Sequence, residues 1–161
     1  GYYADESDLD VRIVRFHNIY GPLGTFEGGR EKAPAAVCRK VALAQSGGSI
    51  EIWGDGEQTR SFCFVDDCIE GLLRIMDSGH QGPLNLGTEE MVTINELARI
   101  AIEVAGKEDI ELVHIEGPQG VRGRNSDNTK LRDIIGWEPR IGLKEGLTPT
   151  YDWIAGQLDD G

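Results

Sequence analysis

Apolar and polar positions divide the chain into short alternating runs and longer amphipathic ones. Val11-Arg12-Ile13-Val14-Arg15-Phe16 is β-branched and partly alternating, which predicts a strand. A turn follows at His17–Pro22, then a loop to Arg30 holding Gly24, Gly28 and Gly29. Pro34 suits the first turn of a helix, because its missing N–H is not needed there. That helix is predicted over Ala35–Ala44 and ends at Ser46-Gly47-Gly48. Ile50–Trp53 reads as a strand, Gly54-Asp55-Gly56 as a tight turn, and Arg60–Phe64 as a second short strand. Asp66 is placed to cap the next helix, which runs to about Met76 with Ile69, Leu72, Leu73 and Met76 on one face.

Further on, Pro83–Leu86 predicts a strand. Thr93 and Glu96 have capping-box spacing, and Val92 can staple onto Leu97. The helix they start buries Leu97, Ile100, Ala101 and Val104 and stops at Gly106. Ile110–Ile115 alternates as a strand, and a Gly/Arg-rich loop spans Gly117–Arg124. Thr129–Ile135 is a short helix stopped by Gly136. Leu143, Leu147, Tyr151, Ile154 and Leu158 mark a last helix, which Pro149 should kink or delay. Strands and helices intermix, so the class is α/β or α+β.

Composition narrows the function classes. The 161 residues are 39% hydrophobic and 27% charged, which suits a folded domain with its own core. No apolar run approaches the length of a membrane helix, and the start has no signal-peptide pattern. The formal charge of −12 disfavours nucleic acid and anionic membrane as partners unless the few cations cluster. Cys38, Cys63 and Cys68 lack metal-ligand spacing, so no metal site is expected. With no leader pattern, they read as reduced, buried thiols of a cytoplasmic protein. The 22 glycines are about twice the usual frequency and gather in loops, where a backbone can approach a ligand.

Two groups of residues carry candidate chemistry. Arg60, Arg122 and Arg124 stand near glycines, as do Arg30 and Lys32, and the planar fork of arginine suits a phosphate. The plainer reading is solvated cations paired with the many carboxylates, and residue type alone favours it. Lys32 stands at the positive end of the Pro34 helix beside Arg30, a setting that favours release of its proton and suits an acid/base role. Again the plainer reading, an exposed lysine, is the commoner one. Trp53, Phe62 and Phe64 are most simply core residues.

Three segments resemble the extended short-chain dehydrogenase/reductases that act on nucleotide sugars. They are Arg15-Phe16-His17-Asn18-Ile19-Tyr20-Gly21-Pro22, Gly54–Phe62 with Val65-Asp66-Asp67, and Pro83-Leu84-Asn85-Leu86-Gly87. Within that superfamily, Gly28–Ala36, Trp53–Phe62 and Gly120–Asn128 resemble the GDP-mannose 3,5-epimerases. The resemblance implies that Lys32 is the catalytic acid/base. It implies that Asn18, Glu31, Ala33, Lys40, Gln58, Thr59, Arg60 and Arg124 bind substrate, with Arg60 and Arg124 on the diphosphate. In that family NAD oxidises the sugar at C4, the acidified C3 and C5 protons are exchanged, and hydride returns.

The family's dinucleotide motif G-x-x-G-x-x-G and its Y-x-x-x-K pair have no counterpart here; Tyr2 and Tyr3 lack a lysine four residues on. The expectation is therefore the truncated, C-terminal substrate-binding portion of a Rossmann-type α/β fold. Residues 1–22 would be a remnant of the NAD-binding domain and 23–161 the sugar-nucleotide domain. The resemblance implies NAD in the full-length enzyme, none bound by this chain alone, no turnover alone, and a GDP-mannose-like nucleotide sugar as partner. A different nucleotide-sugar epimerase or dehydratase is the first alternative. The second is a non-catalytic piece whose apolar Val11–Tyr20 segment invites a second copy or the missing half.

Overall fold

The computed structural model describes residues 10–117 and 121–159. Tyr2, Tyr3 and residues 118–120 of the Gly/Arg-rich loop lie outside them. The elements in chain order are β1 (Ile13–Phe16), β2 (Ile19–Tyr20), α1 (Ala33–Leu43), β3 (Ser49–Trp53), β4 (Thr59–Arg60), β5 (Cys63–Phe64) and α2 (Val65–Asp77). Then come β6 (Pro83–Leu86), β7 (Val92–Thr93), α3 (Ile94–Val104), β8 (Glu111–Ile115), β9 (Gly123–Arg124), α4 (Thr129–Ile135) and α5 (Leu143–Asp159).

The strands form small, separate ladders. β1 runs parallel to β6, β2 to β5 and β3 to β8. β4 lies between β7, antiparallel, and β9, parallel. Parallel pairs joined through helices make this an α/β arrangement.

Two apolar cores follow. In the first, α1, α3 and α5 pack on one another and over β3, burying Val41, Ile52, Leu97, Ala101, Leu147 and Ile154. In the second, Ile75, Leu84, Leu86, Leu131 and Trp137 close α2 and α4 over β6. The capping box holds: Glu96 N–H donates to Thr93 Oγ1 at 3.0 Å, and Thr93 N–H to Glu96 Oε2 at 2.7 Å. Pro149 does not delay α5. Thr150 Oγ1 donates to the Gly146 carbonyl at 2.7 Å and Thr148 Oγ1 to that of Lys144 at 3.0 Å, on either side of Glu145, whose carbonyl has no N–H to accept from at Pro149.

Three expectations are corrected. Asp66 does not cap α2; the N-cap is Phe64, with no side-chain cap. Asp66 and Asp67 lie in the first turn, and Asp67 turns inward to accept the N–H groups of Arg140 and Ile141 at 2.8 and 2.7 Å. Of the apolar face predicted for α2, only Leu72 packs, half-buried, on the core. Cys68, Gly71 and Ile75 are buried, while Ile69, Leu73 and Met76 are exposed. The reason is size: Gly71 lets the helix meet Leu86 and Trp137, and an added Cβ would stand 2.7 Å from the Trp137 ring. Finally, Arg60–Phe64 is not one strand. Ser61 and Phe62 separate β4 from β5, which belong to different ladders.

Candidate functional site

The carried-over residues fall into two adjoining groups. The first is a cation pair. Arg60 and Arg124 are register partners across the parallel β4–β9 ladder, so their side chains leave the same region of the sheet. Arg124 stands on a strand and not in the loop that the glycines around it suggested. The ladder extends on both sides, with Thr59 N–H bonded to the Arg122 carbonyl at 2.8 Å and Ser61 N–H to that of Arg124 at 3.2 Å. Asn18, in the left-handed region at φ 46°, donates from Nδ2 to the Ser61 carbonyl at 2.9 Å. That bond places Asn18 next to Arg60. Arg60 is half-buried, and its own bond is to the neighbouring Thr59 carbonyl at 2.7 Å; Arg124 is exposed. Two like charges held side by side in an acidic chain are an arrangement that suits an anion.

The second group lines a cleft of about 370 Å³ between α1 and β3, within the range of small-molecule sites. Glu31, Ala33, Lys40 and Gln58 line it, together with Val37, Arg39, Ile52, Trp53 and Ile94. Lys40 Nζ donates to the Glu51 carbonyl at 2.7 Å. Glu31 is held below the usual carboxylate range, first by its own backbone N–H and then by that of Gly29, with the Arg39 charge assisting. Lys32 is the N-cap of α1, extended at φ −76°, ψ 156°, and exposed at the mouth of the helix. Among the described residues it forms no ion pair.

Gln58-Thr59-Arg60 is continuous in sequence and joins the cleft to the cation pair. Arg122 instead faces Asp55, at 3.5 Å. The loop beyond the cation pair is pinned by buried polar groups. Asn128 donates to the Gly87 carbonyl at 2.7 Å and accepts from Ser126 Oγ at 2.6 Å.

Sequence reasoning missed two cleft residues. Arg39 gave no signal beyond its charge. Trp53, read as core, is 55% exposed at the cleft rim. The alternation of β3 carried that information, since Ile50 and Ile52 face inward and Glu51 and Trp53 must face out. The other aromatic readings hold, with Phe62 and Phe64 buried. So do the thiols: burial pushes Cys38 and Cys63 up to about 12 and raises Cys68. Among the described residues, no group of three or more His, Cys, Asp or Glu side chains is placed to hold a metal ion.

The model of the NAD dependent epimerase/dehydratase family matches residues 1–87, more than half the chain. The chain belongs to that family. It is 51% identical over 158 residues to GDP-mannose 3,5-epimerase 1 of Oryza sativa subsp. japonica and to GDP-mannose 3,5-epimerase of Arabidopsis thaliana. It is 37% identical over 146 residues to UDP-glucuronic acid decarboxylase 6 of Arabidopsis thaliana. The first two matches cover 98% of this chain and 41% of the relative, so the chain spans under half the length of these curated relatives. Among solved structures, UDP-glucose 4-epimerase of Thermotoga maritima with UDP-glucose superposes with a TM-score of 0.85 at 31% identity, covering 98% of this chain and 50% of that one. The fold is therefore that of the extended epimerases of this family, in part of their length.

The family name implies a dinucleotide, and among the described residues the starts of α2 and α3 do not fit its pyrophosphate. A pyrophosphate needs an open helix N-terminus behind a glycine-rich turn. α2 follows β5 with no intervening loop, and the start of α3 is closed by its capping box. No step through NAD is assigned to these residues.

Proposed function

We propose that this chain is the sugar-nucleotide-binding part of a GDP-mannose 3,5-epimerase-type enzyme. The pairing of Arg60 with Arg124, with Asn18 bonded beside them, carries this reading: it supplies a cationic seat for a diphosphate in a protein of net charge −12. The sugar would extend from that seat toward Lys32. Lys32 would carry the proton at the sugar carbons, the free amine taking one from carbon and the resulting ammonium returning one, with its backbone held at the mouth of α1. Residues 1–22 belong, in this reading, to the sheet of the dinucleotide domain, and 23–161 to the substrate domain. The hydride acceptor has to be held by residues other than those described, so the chain alone binds without turning over.

Calorimetric titration tests this. GDP-mannose is expected to bind saturably and more tightly than UDP-glucose. Arg124→Ala is expected to weaken it by about tenfold or more, the loss of a charge-assisted contact. UDP-glucose binding as well as GDP-mannose would move the assignment to another nucleotide-sugar enzyme. Epimerisation by the isolated chain would overturn the statement on turnover.

A second reading has its own observation. Phe16 on β1 and Ile69, Leu73 and Met76 on α2 are exposed. β1 pairs on one side only among the described residues. A half-covered sheet edge and exposed apolar side chains favour association. A strict monomer by native mass spectrometry at micromolar concentration would remove self-association as a role.

A further inference from the structure

The turn ahead of the cation pair is held by one buried amide. Asn95 is the second residue of α3 and is 5% exposed. Its Nδ2 donates to the Asp55 carbonyl at 3.0 Å and to Glu57 Oε1 at 2.8 Å. Its Oδ1 accepts from His114 Nε2, on β8, at 2.9 Å. Two acceptors on one side fix which end of the amide is nitrogen. The other end is then the oxygen, and His114 must carry a proton on Nε2. One side chain thus ties together a turn, a helix and a strand that are far apart in the chain.

The turn is shaped around that amide. Gly56 has φ +70°, and an added Cβ would stand 2.5 Å from Asn95 Cγ, so glycine meets both demands. Backbone bonds close the same junction. Asn95 N–H donates to the Gly56 carbonyl at 3.1 Å, and Ile94 N–H to that of Gln58 at 3.2 Å. The first two N–H groups of α3 are thereby taken up by the turn. Gln58, Thr59 and Arg60 follow at once. Gln58 lines the cleft, and Arg60 is the register partner of Arg124. Where β4 leaves the turn decides where both side chains emerge, and strand pairing carries a shift of β4 on to Arg124. Asn95 itself does not line the cleft.

We propose that Asn95 is a positioning residue for the cation pair and the cleft: its amide clamps the Asp55–Glu57 turn and so sets where Gln58 and Arg60 emerge. For its ligand this rests on the sugar-nucleotide reading, to which it adds a residue that acts without touching the nucleotide sugar. The donor end of the amide is the part that matters, because Glu57 opposes it with a carboxylate. Asn95→Asp keeps the shape and sets a second carboxylate, buried, against the first. Like charge and burial both raise the proton affinity of the introduced group. Once protonated it is a donor again, and the clamp closes. The other charged groups nearby are Asp55, Arg122 and Glu116. The Asp55 carboxylate accepts Glu57 N–H at 3.0 Å and lies 3.5 Å from Arg122, and Glu116 stands by His114.

The test uses the full chain with Asn95→Asp, Glu57→Gln and the double variant. GDP-mannose is the probe in calorimetry, and amide hydrogen exchange is read without ligand. Asn95→Asp is expected to bind about tenfold more weakly than the parent at about pH 7.5, and within about threefold of it at about pH 5.5. Glu57→Gln alone should stay within about twofold, since its amide oxygen still accepts. Added to Asn95→Asp, it should restore most of the affinity at the higher pH, because its amide can donate to the carboxylate. The Thr59 and Ser61 N–H groups, bonded to the Arg122 and Arg124 carbonyls, should exchange about tenfold faster or more in Asn95→Asp, while α2 and β6 keep the parent rates. The proposal is overturned if exchange at Thr59 and Ser61 is unchanged, or if protection falls uniformly over the chain. A loss of affinity that neither the lower pH nor Glu57→Gln relieves also overturns it, since that is a general stabilising role. If the parent binds GDP-mannose and exchange is unchanged, the clamp falls and the sugar-nucleotide reading stands. If the parent binds no GDP-mannose, that reading falls and exchange alone decides the clamp.

Discussion

Single side chains close the ends of this fold. Lys107 Nζ donates to the carbonyls of Val41, Ala42 and Ala44 at 2.7, 2.8 and 2.7 Å. It thereby satisfies the carbonyl end of α1, whose other end carries Lys32 and Glu31. Lys107→Met keeps the stem and removes the donors, so it should lower unfolding stability by about 1–3 kcal/mol in a urea titration. Acid sensitivity is also a matter of single residues. Glu89 is held below the ordinary carboxylate range first by the Asn128 N–H and then by Arg132, and Glu96 first by the Thr93 N–H. Asp127 is lowered first by the Thr129 N–H. Each folded value lies below the unfolded one, so its stabilisation is complete above the unfolded value near 4 and fades as pH falls through the folded one. The melting temperature should therefore hold between pH 7 and 5 and drop below about pH 4. Glu96→Gln should flatten that drop, and a drop unchanged in that variant would count against the assignment.

At the scale of elements, small residues decide how closely helices sit. Gly146 on α5 lies under Tyr20 and Phe64; an added Cβ would meet the Tyr20 hydroxyl and come within 2.7 Å of the Phe64 ring. Gly156, on the same helix, has open space around it. Gly146→Ala should cost about 1–3 kcal/mol by overpacking, and Gly156→Ala should gain about 0.5–1 kcal/mol from helix propensity. Thermal unfolding of the two variants separates them by sign. On α2, Ile75 is fully buried and Leu73 more than half exposed. Ile75→Ala should cost about 2–5 kcal/mol, whereas Leu73→Ala should stay within about 0.5 kcal/mol. Sequence periodicity alone predicts the reverse weighting, because it shows a strong apolar stripe at Ile69, Leu73 and Met76 and cannot show which stripe meets the sheet.

For the whole molecule, the two cores and the site depend on segments far apart in the chain. The cation pair joins β4 to β9 across more than sixty positions, and the cleft joins α1 to β3 and to Ile94 of α3. Site residues were legible in proportion to how local their motif is. Lys32, Arg60 and Arg124 stand in short recognisable segments, whereas Trp53 and Arg39 acquire meaning only from what the fold sets beside them. The buried thiols give a global readout. Cys38 and Cys63 should react with a disulfide reagent at neutral pH only as fast as the chain opens, and promptly in denaturant.

The sequence by itself determined the class of the fold, the bounds of most helices and the family. Caps, glycine stops and motif segments are local, and their chemistry acts within a few residues, as the Thr93–Glu96 box and the Gly136 stop at φ 63° show. Only the tertiary structure decided which face of α2 is covered, that β4 and β5 part company, and that Arg60 stands beside Arg124 with Trp53 turned out over a cleft. Those outcomes rest on packing volume and strand register between distant segments. Neither is written into a run of neighbouring residues.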